Sequence, residues 1–405
     1  MSSKDNAIIL AFSGGLDTSF CVPWLKETYG RPVVTATVNT GGLDAAASRA
    51  LGEKAKELGA IEHIEIDARD EFFDAVIKYL IMGNVRRGNL YPLCVGAERG
   101  VQARHLADAA RKLGSPTVAH GCTAAGNDQV RFEVVLKALA PDLEVLAPVR
   151  DNAFVREEQI DYLTSHGMPL PAAGSAYSIN RGLWGVTIGG TETLDSIGSI
   201  PESAWVLSSG AFEAARQPVT IEIAFEQGVP IAVDGDALGP VALIEHLESL
   251  GADYAIGRGI HLGDTILGTK GRVAFEAPAA AILLDAHREL EKLTLGAQQA
   301  RVKDQLALGY GDLIHEGKQL DPVCADIEAF LASSQRRVSG TVTVELRPGH
   351  MFVIGVASPH SLMAASRGKY GESAGEWSSS DAVGFSRILA LPGMLHARAG
   401  NTSSG

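Results

Sequence analysis

Residues 13 to 19 read Ser-Gly-Gly-Leu-Asp-Thr-Ser, between the apolar run Ala7-Ile8-Ile9-Leu10 and a helix expected over residues 21 to 29. Two adjacent glycines let a backbone approach an anion closely. Ser13, Thr18 and Ser19 add hydroxyl donors, and a helix start offers unpaired N–H groups and the positive end of its dipole. The set suits a phosphate group. A plain glycine turn between strand and helix does not need three hydroxyls. The pattern is not the GxxxxGK[ST] phosphate loop, since its nearest approach, Gly263 to Lys270, ends in Thr-Lys. A second segment, GCTAAGNDQVRFE at 121 to 133, groups Thr123, Asn127, Asp128, Arg131 and Glu133 around a glycine turn and a helix start. Those donors and acceptors suit an amino acid: Arg131 can grip a carboxylate with a two-pronged fork, and Asp128 can accept from an ammonium. Taken alone, the same residues also fit an N-capped helix with a surface ion pair.

Both segments need strands behind them. Strand patterns occur at 7–10, 33–38, 61–66, 117–120 and 144–147, with helical patterns at 45–58, 71–80, 99–113 and 128–139. Such alternation implies parallel βαβ units in an α/β, doubly wound sheet, with ligands beyond the carboxyl ends of the strands. The pattern changes near residue 170, where PLPAAGSAYSINRG is rich in turn formers. Period-two runs around Gln227-Gly228 and Pro348-Gly349 read as hairpins, and helices are expected at 240–250 and 278–293. The expected organisation is an α/β domain carrying the phosphate loop over residues 1–168 and an α+β domain over 169–377. A Ser-rich linker and a short amphipathic tail follow over 378–405. The tail is too small to fold alone and is expected to dock on another part of the chain or on another subunit.

The chain has 405 residues, 46% hydrophobic and 20% charged, enough for a sizeable core. A net charge of -13 gives it no overall attraction to nucleic acid or an anionic membrane. The four cysteines form no CxxC pair, which speaks against a zinc site or a disulfide framework and for a reducing, cytoplasmic location. No leader pattern is seen at the start, and the apolar runs are too short to span a bilayer. No metal site is expected. His261, His287 and His315 lack metal-ligand spacing and are expected as surface or core residues, and Trp24, Trp184 and the methionines as packing.

The loop Ser13–Ser19 resembles those of enzymes that split ATP between its α and β phosphates. Together with GNDQVRFE, it makes the chain similar to the argininosuccinate synthase family. The resemblance continues through YSINRGLWGVT, the glycine- and arginine-bearing segment 257 to 276, and SPHSL at 358 to 362. It implies that the ureido oxygen of citrulline attacks the α-phosphorus of ATP, and that the aspartate amine then displaces AMP. The catalyst's task is to position charged reactants and stabilise phosphate charge, so no side-chain nucleophile is required. By resemblance, Ala11, Phe12, Ser13, Gly14, Gly15, Leu16, Asp17, Thr18, Ser19 and Gly121 hold ATP. Thr123, Asn127 and Asp128 would face aspartate. Tyr91, Asn127, Arg131, Ser178 and Thr187 would face citrulline, with Thr187 where the family has serine. ATP with Mg2+ is the implied co-substrate and a homotetramer the implied assembly.

The sequence departs from the family at the citrulline end. Val95 and Gly96 stand where the family has a Thr-Ser pair before Ala-Arg, and Ala97-Glu98-Arg99 follow here. Away from that end, Ala124-Ala125-Gly126 replaces Gly-Lys-Gly and removes a cation near the phosphates or aspartate. Asn180-Arg181-Gly182 replaces Asp-Glu-Asn, Phe275 replaces tyrosine, and Gly263 stands where a glutamate faces citrulline, with Asp264 one position away. An ammonium buried without an acid partner is costly. The departures therefore imply either compensation, with citrulline as substrate, or an N-acylated citrulline or other ureido compound. A non-catalytic nucleotide-binding relative is a further reading. The GxSxG match at 371–375, with Ser373 at its centre, lacks a preceding strand and has only Asp381 and His396 downstream, so it is expected as a loop and not a hydrolase elbow. A tRNA-modifying role fits poorly with the acidity and the lack of a cysteine motif.

Overall fold

The computed structural model describes residues 6–170, 177–366 and 375–401. Contacts divide the chain into two compact units, residues 1–358 and 359–405. The first unit opens with five parallel strands: β1 (Ile8–Ala11), β2 (Val33–Asn39), β3 (Glu62–Asp67), β4 (Thr117–Ala119) and β5 (Glu144–Leu146). Their order is β3-β2-β1-β4-β5. Ile8, Ile9 and Leu10 are all fully buried. Ile8 and Leu10 pack with Phe20 and Leu25 of helix α1 (Leu16–Tyr29), while Ile9 packs on the other face with Ala103 and Leu106. Successive side chains leave opposite faces of a strand, so a strand covered on both sides must be continuously apolar. Each such burial contributes ~1.5–3 kcal/mol.

Helix α1 begins at Leu16, five residues earlier than the expected 21. Asp17, Thr18 and Ser19 thus form its first turn instead of a loop. The polar first turn carries no apolar periodicity, which hid it. Its N-cap is Gly15, in an extended conformation, and no side chain caps it.

Beyond residue 177 the sheets are antiparallel. Ser178–Gly182, expected as turn, is strand β6, paired with β7 (Gly185–Gly189) around the buried Leu183 and Trp184. Residues 171–176 of the same stretch lie outside the described residues. The hairpin at Gln227-Gly228 joins β8 (Val219–Glu226) to β9 (Val229–Val233), which is followed by the short β10 (Asp236–Ala237). Strands β11 (Arg258–Asp264) and β12 (Lys270–Glu276) complete a sheet of order β11-β12-β7-β6. The second expected hairpin is β13 (Gly340–Arg347) and β14 (His350–Ala357), in a sheet of order β10-β9-β8-β13-β14. Helices Pro240–Asp253 and Pro278–Thr294 share a core with that sheet through Leu243, Leu247, Ile282 and Leu283. Phe72, Val76, Ile77 and Leu80, from the helical run at 69–83, join this same core. Two helices that the sequence patterns did not separate, Ala297–His315 and Pro322–Ser334, pack beside it.

In the second unit, helix Ser379–Asn401 carries exposed Phe385, Ile388, Leu389 and Leu395 and has Pro392 inside it. Asp381 and His396 lie on this helix. Residues 371–374, with Ser373, lie outside the described residues. Among the described residues no helix is long and apolar enough to cross a membrane.

Candidate active site

Strands β1 and β4 are neighbours, and from them the chain winds outward in opposite directions, through β2 and β3 on one side and β5 on the other. This is the switch point of a doubly wound sheet, where a crevice opens beyond the strand ends. The two segments singled out from the sequence leave β1 and β4 there and line one cleft of about 740 Å³. At its first wall, Ser13 Oγ lies 3.2 Å from Thr18 Oγ1, and Gly15 N–H donates to Ser13 Oγ at 3.4 Å. These long contacts are weak, leaving hydroxyls and helix N–H groups ready for an anion. Gly14 has φ +73, and a Cβ there would overlap Leu51. Lys54 Nζ donates to the Gly14 carbonyl at 2.5 Å and so braces the loop from α2 (Ala45–Glu57). Gly14, Leu16 and Ser19 do not line the cleft: Leu16 is in the core and Ser19 is fully buried. A Cβ on Gly121 would stand 3.1 Å from the backbone of Asp17 and Thr18, so the two loops touch through this glycine.

A row of polar side chains crosses the cleft. Glu98 Oε1 accepts from Arg99 Nη1 at 2.5 Å, Arg99 Nε donates to Asp128 Oδ2 at 3.0 Å, and Asp128 Oδ1 accepts from Arg131 Nη1 at 2.6 Å. Arg131 then reaches His315, donating from Nε to its carbonyl at 2.7 Å and facing Nδ1 at 3.0 Å. Burial works against an ionised Asp128, but Arg99 and Arg131 outweigh it and hold the carboxylate down at about 2. Burial pushes Glu98 up to about 7 against the pull of Arg99. Asn127 Oδ1 accepts from the Ile266 N–H at 2.9 Å, tying helix Asn127–Leu139 to the β11–β12 turn. Tyr91 is buried, with its ring stacked on His261 at 5.4 Å and edge-on to Phe275. Thr123, Ser178 and Thr187 line the same cleft. The fork expected of Arg131 is largely occupied by Asp128 and His315. Among the described residues no cluster of three or more His, Cys, Asp or Glu side chains comes together to hold a metal.

Residues 7–169 match the family model described as the arginosuccinate synthase N-terminal HUP domain, and residues 177–396 match the C-terminal domain of the same family. The chain belongs to the argininosuccinate synthase family. It is similar to the argininosuccinate synthase of Xanthomonas campestris pv. campestris, at 39% identity over 98% of this chain and 99% of the relative. The argininosuccinate synthase of Bacillus pumilus is 39% identical over 96% of both chains. That of Methanocaldococcus jannaschii is 36% identical over 96% and 97%.

The glycines that depart from the family pattern share one feature. A Cβ on Gly96 would lie 2.8 Å from Arg131 Cζ, one on Gly182 would overlap Glu98 Oε2, and one on Gly263 would overlap His261 Nε2. Each missing side chain therefore leaves room that a polar side chain of the cleft fills. Asp264, the nearby candidate for compensation, is paired with Lys270 at 2.5 Å. His261 and His315, expected as ordinary surface or core residues, line the cleft. Nothing in their spacing could have marked them, because His315 arrives on helix Ala297–His315 from far along the chain. His287 is fully buried, with ring nitrogens bonded to Asn84 and Gln335. Trp184 is also buried, and its indole N–H donates to the Pro92 carbonyl at 3.0 Å.

Proposed function

We propose that this protein is an ATP-dependent ligase that joins citrulline to aspartate, giving argininosuccinate, AMP and pyrophosphate, in arginine biosynthesis. The observation that carries the reading is the contact of the two loops at Gly121, which brings a phosphate site against an amino-acid site. ATP lies with its phosphates at the N-terminus of α1, held by the residues 11 to 19 that face the cleft and by Gly121. Asp17, Ser13 and Thr18 would hold a magnesium ion that accompanies the nucleotide, with the oxygen donors such a hard cation takes, and its charge would offset that of the phosphates. Citrulline lies across Tyr91, Asn127, Arg131, Ser178 and Thr187, and its ureido oxygen displaces pyrophosphate from the α-phosphorus. The aspartate ammonium gives one proton up to solvent, the resulting amine attacks the ureido carbon, and the C–O bond to AMP breaks, leaving the guanidinium of the product. Thr123, Asn127 and Asp128 hold aspartate. Asp128, ionised well below neutrality, accepts a hydrogen bond from the ammonium but is too weak a base to take its proton.

Residues 1–168 bind the nucleotide, 169–377 complete the amino-acid site, and 378–405 join subunits of a homotetramer through the exposed apolar stripe of the tail helix. Four free cysteines, three of them buried, fit a reducing cytoplasm. The family relatives give no support to an N-acylated substrate. The test is pyrophosphate release with ATP, magnesium and aspartate, comparing citrulline with N-acetylcitrulline. Turnover with citrulline is expected; silence, or turnover with the capped compound alone, refutes the reading.

A further inference from the structure

Arg131 decides the protonation of its neighbour. A guanidinium has only donors and keeps its charge, so His315 Nδ1, 3.0 Å from Arg131 Nη2, must accept. The single proton of the neutral ring then sits on Nε2. Burial first, and then the Arg131 charge, hold the imidazolium down to about 3, so the ring is neutral at working pH. Nε2 is buried and has no hydrogen-bond partner, and the residue, only 6% exposed, lines the cleft. A buried donor without an acceptor is costly unless a ligand supplies one.

We propose that the His315 Nε2–H group binds the α-carboxylate of the ureido amino acid, which makes His315 a specificity-determining residue. An ammonium cannot be the ligand, because it has only donors. A carboxylate suits the site because Arg131 lies beside it. Two guanidinium N–H groups of Arg131 are turned to Asp128 and His315 Nδ1, and Nε to the His315 carbonyl, so Arg131 has only part of its fork to offer a substrate. The phosphate loop lies at the other wall, on α1. The inference rests on the proposed function, since it takes citrulline as the amino acid.

Two substitutions separate the ring nitrogens. His315→Asn keeps an acceptor near Nδ1 for Arg131 and removes the Nε2 donor; His315→Gln places an amide donor near Nε2 and removes that acceptor. H315N is expected to raise KM for citrulline about tenfold or more, while KM for ATP and aspartate stay within about twofold. The wild-type preference for citrulline over N-carbamoylputrescine, its analogue without the carboxylate, falls by the same factor. H315Q is expected to retain that preference. A spared H315N with an impaired H315Q would show that His315 only orients Arg131 and would overturn the inference, as would an unchanged preference in H315N. If the wild type releases no pyrophosphate with citrulline, the proposed function fails instead. The tautomer is read independently of turnover from 15N spectra of histidine-labelled protein, with H315N identifying the signal. Nε2 is expected to be protonated and Nδ1 bare from about pH 5 to 8; an Nδ1–H form, or titration in that range, overturns the inference whatever the enzyme does.

Discussion

Replacing Asp128 with asparagine keeps the shape of the side chain and removes one charge from the polar row. The wild-type carboxylate meets Arg99 at 3.0 Å and Arg131 at 2.6 Å. In the variant Arg99 keeps Glu98, whereas Arg131 is left with the neutral His315. Removing one partner of a buried ion pair costs about 3–5 kcal/mol. The Asp128 side chain is 31% exposed in the cleft, so water screens part of that loss. The expected destabilisation at pH 7 is therefore about 2–3 kcal/mol. Its pH dependence follows from the depressed carboxylate. Burial opposes ionisation, the two arginines outweigh it, and the folded value of about 2 lies below the ~3.9 of a free aspartate. The stabilisation is therefore fully present above about pH 4 and is lost as pH falls toward 2. Urea unfolding of wild type and D128N at pH 7, 5 and 3.5 measures the difference. It should grow somewhat from pH 7 to 5, because Glu98, whose carboxyl Asp128 helps to raise, takes up its proton there, and shrink from pH 5 to 3.5, and a cycle with Arg131→Met should show coupling. A difference below about 1 kcal/mol at pH 7, or one that does not shrink in acid, would refute the reasoning.

Three further outcomes are expected. Gly121→Ala places a methyl group 3.1 Å from the backbone of Asp17 and Thr18, which cannot swing aside, so KM for ATP should rise about tenfold and the melting temperature should fall by a few degrees. Steady-state kinetics and calorimetry check it. Glu98→Gln should remove a pH dependence of stability: burial raises the folded carboxyl to about 7, so the wild-type contribution is fully present below about pH 4 and is lost as pH rises through about 7. The variant should therefore gain on the wild type between about pH 5 and 8, and parallel stability curves would contradict this. Deleting residues 378–405 should convert the proposed homotetramer to smaller species in sedimentation velocity, and an unchanged sedimentation coefficient would exclude the tail as a subunit contact.

The strands of the parallel sheet were legible to within two residues because each is a short β-type run between helical patterns, apolar in the middle of the sheet and alternating polar with Ile64 and Ile66 in the edge strand β3. The start of α1 was not, because a polar first turn capped by Gly15 has no periodic signal. Strand β6 was hidden because Ser178–Gly182 is polar and glycine-bearing, and four of its five residues are exposed. The departures at Gly96, Gly182 and Gly263 read as losses in one dimension. In the folded chain, Arg131, Glu98 and His261 occupy the space they leave.

Local residue order alone determined the chemistry that could be recognised: a glycine-hydroxyl turn after a strand for phosphate, an Asn-Asp-x-x-Arg helix start for an amino acid, and βαβ alternation to carry both. Only the tertiary structure decided which donors remain free. Arg131 is engaged by a histidine 184 residues further along the chain, and Asp128 by Arg99 from a different helix. The physical reason is that a motif fixes side-chain type and local backbone. The occupancy of each hydrogen-bonding group depends on whatever distant segment packs against it, and no spacing in the sequence records that.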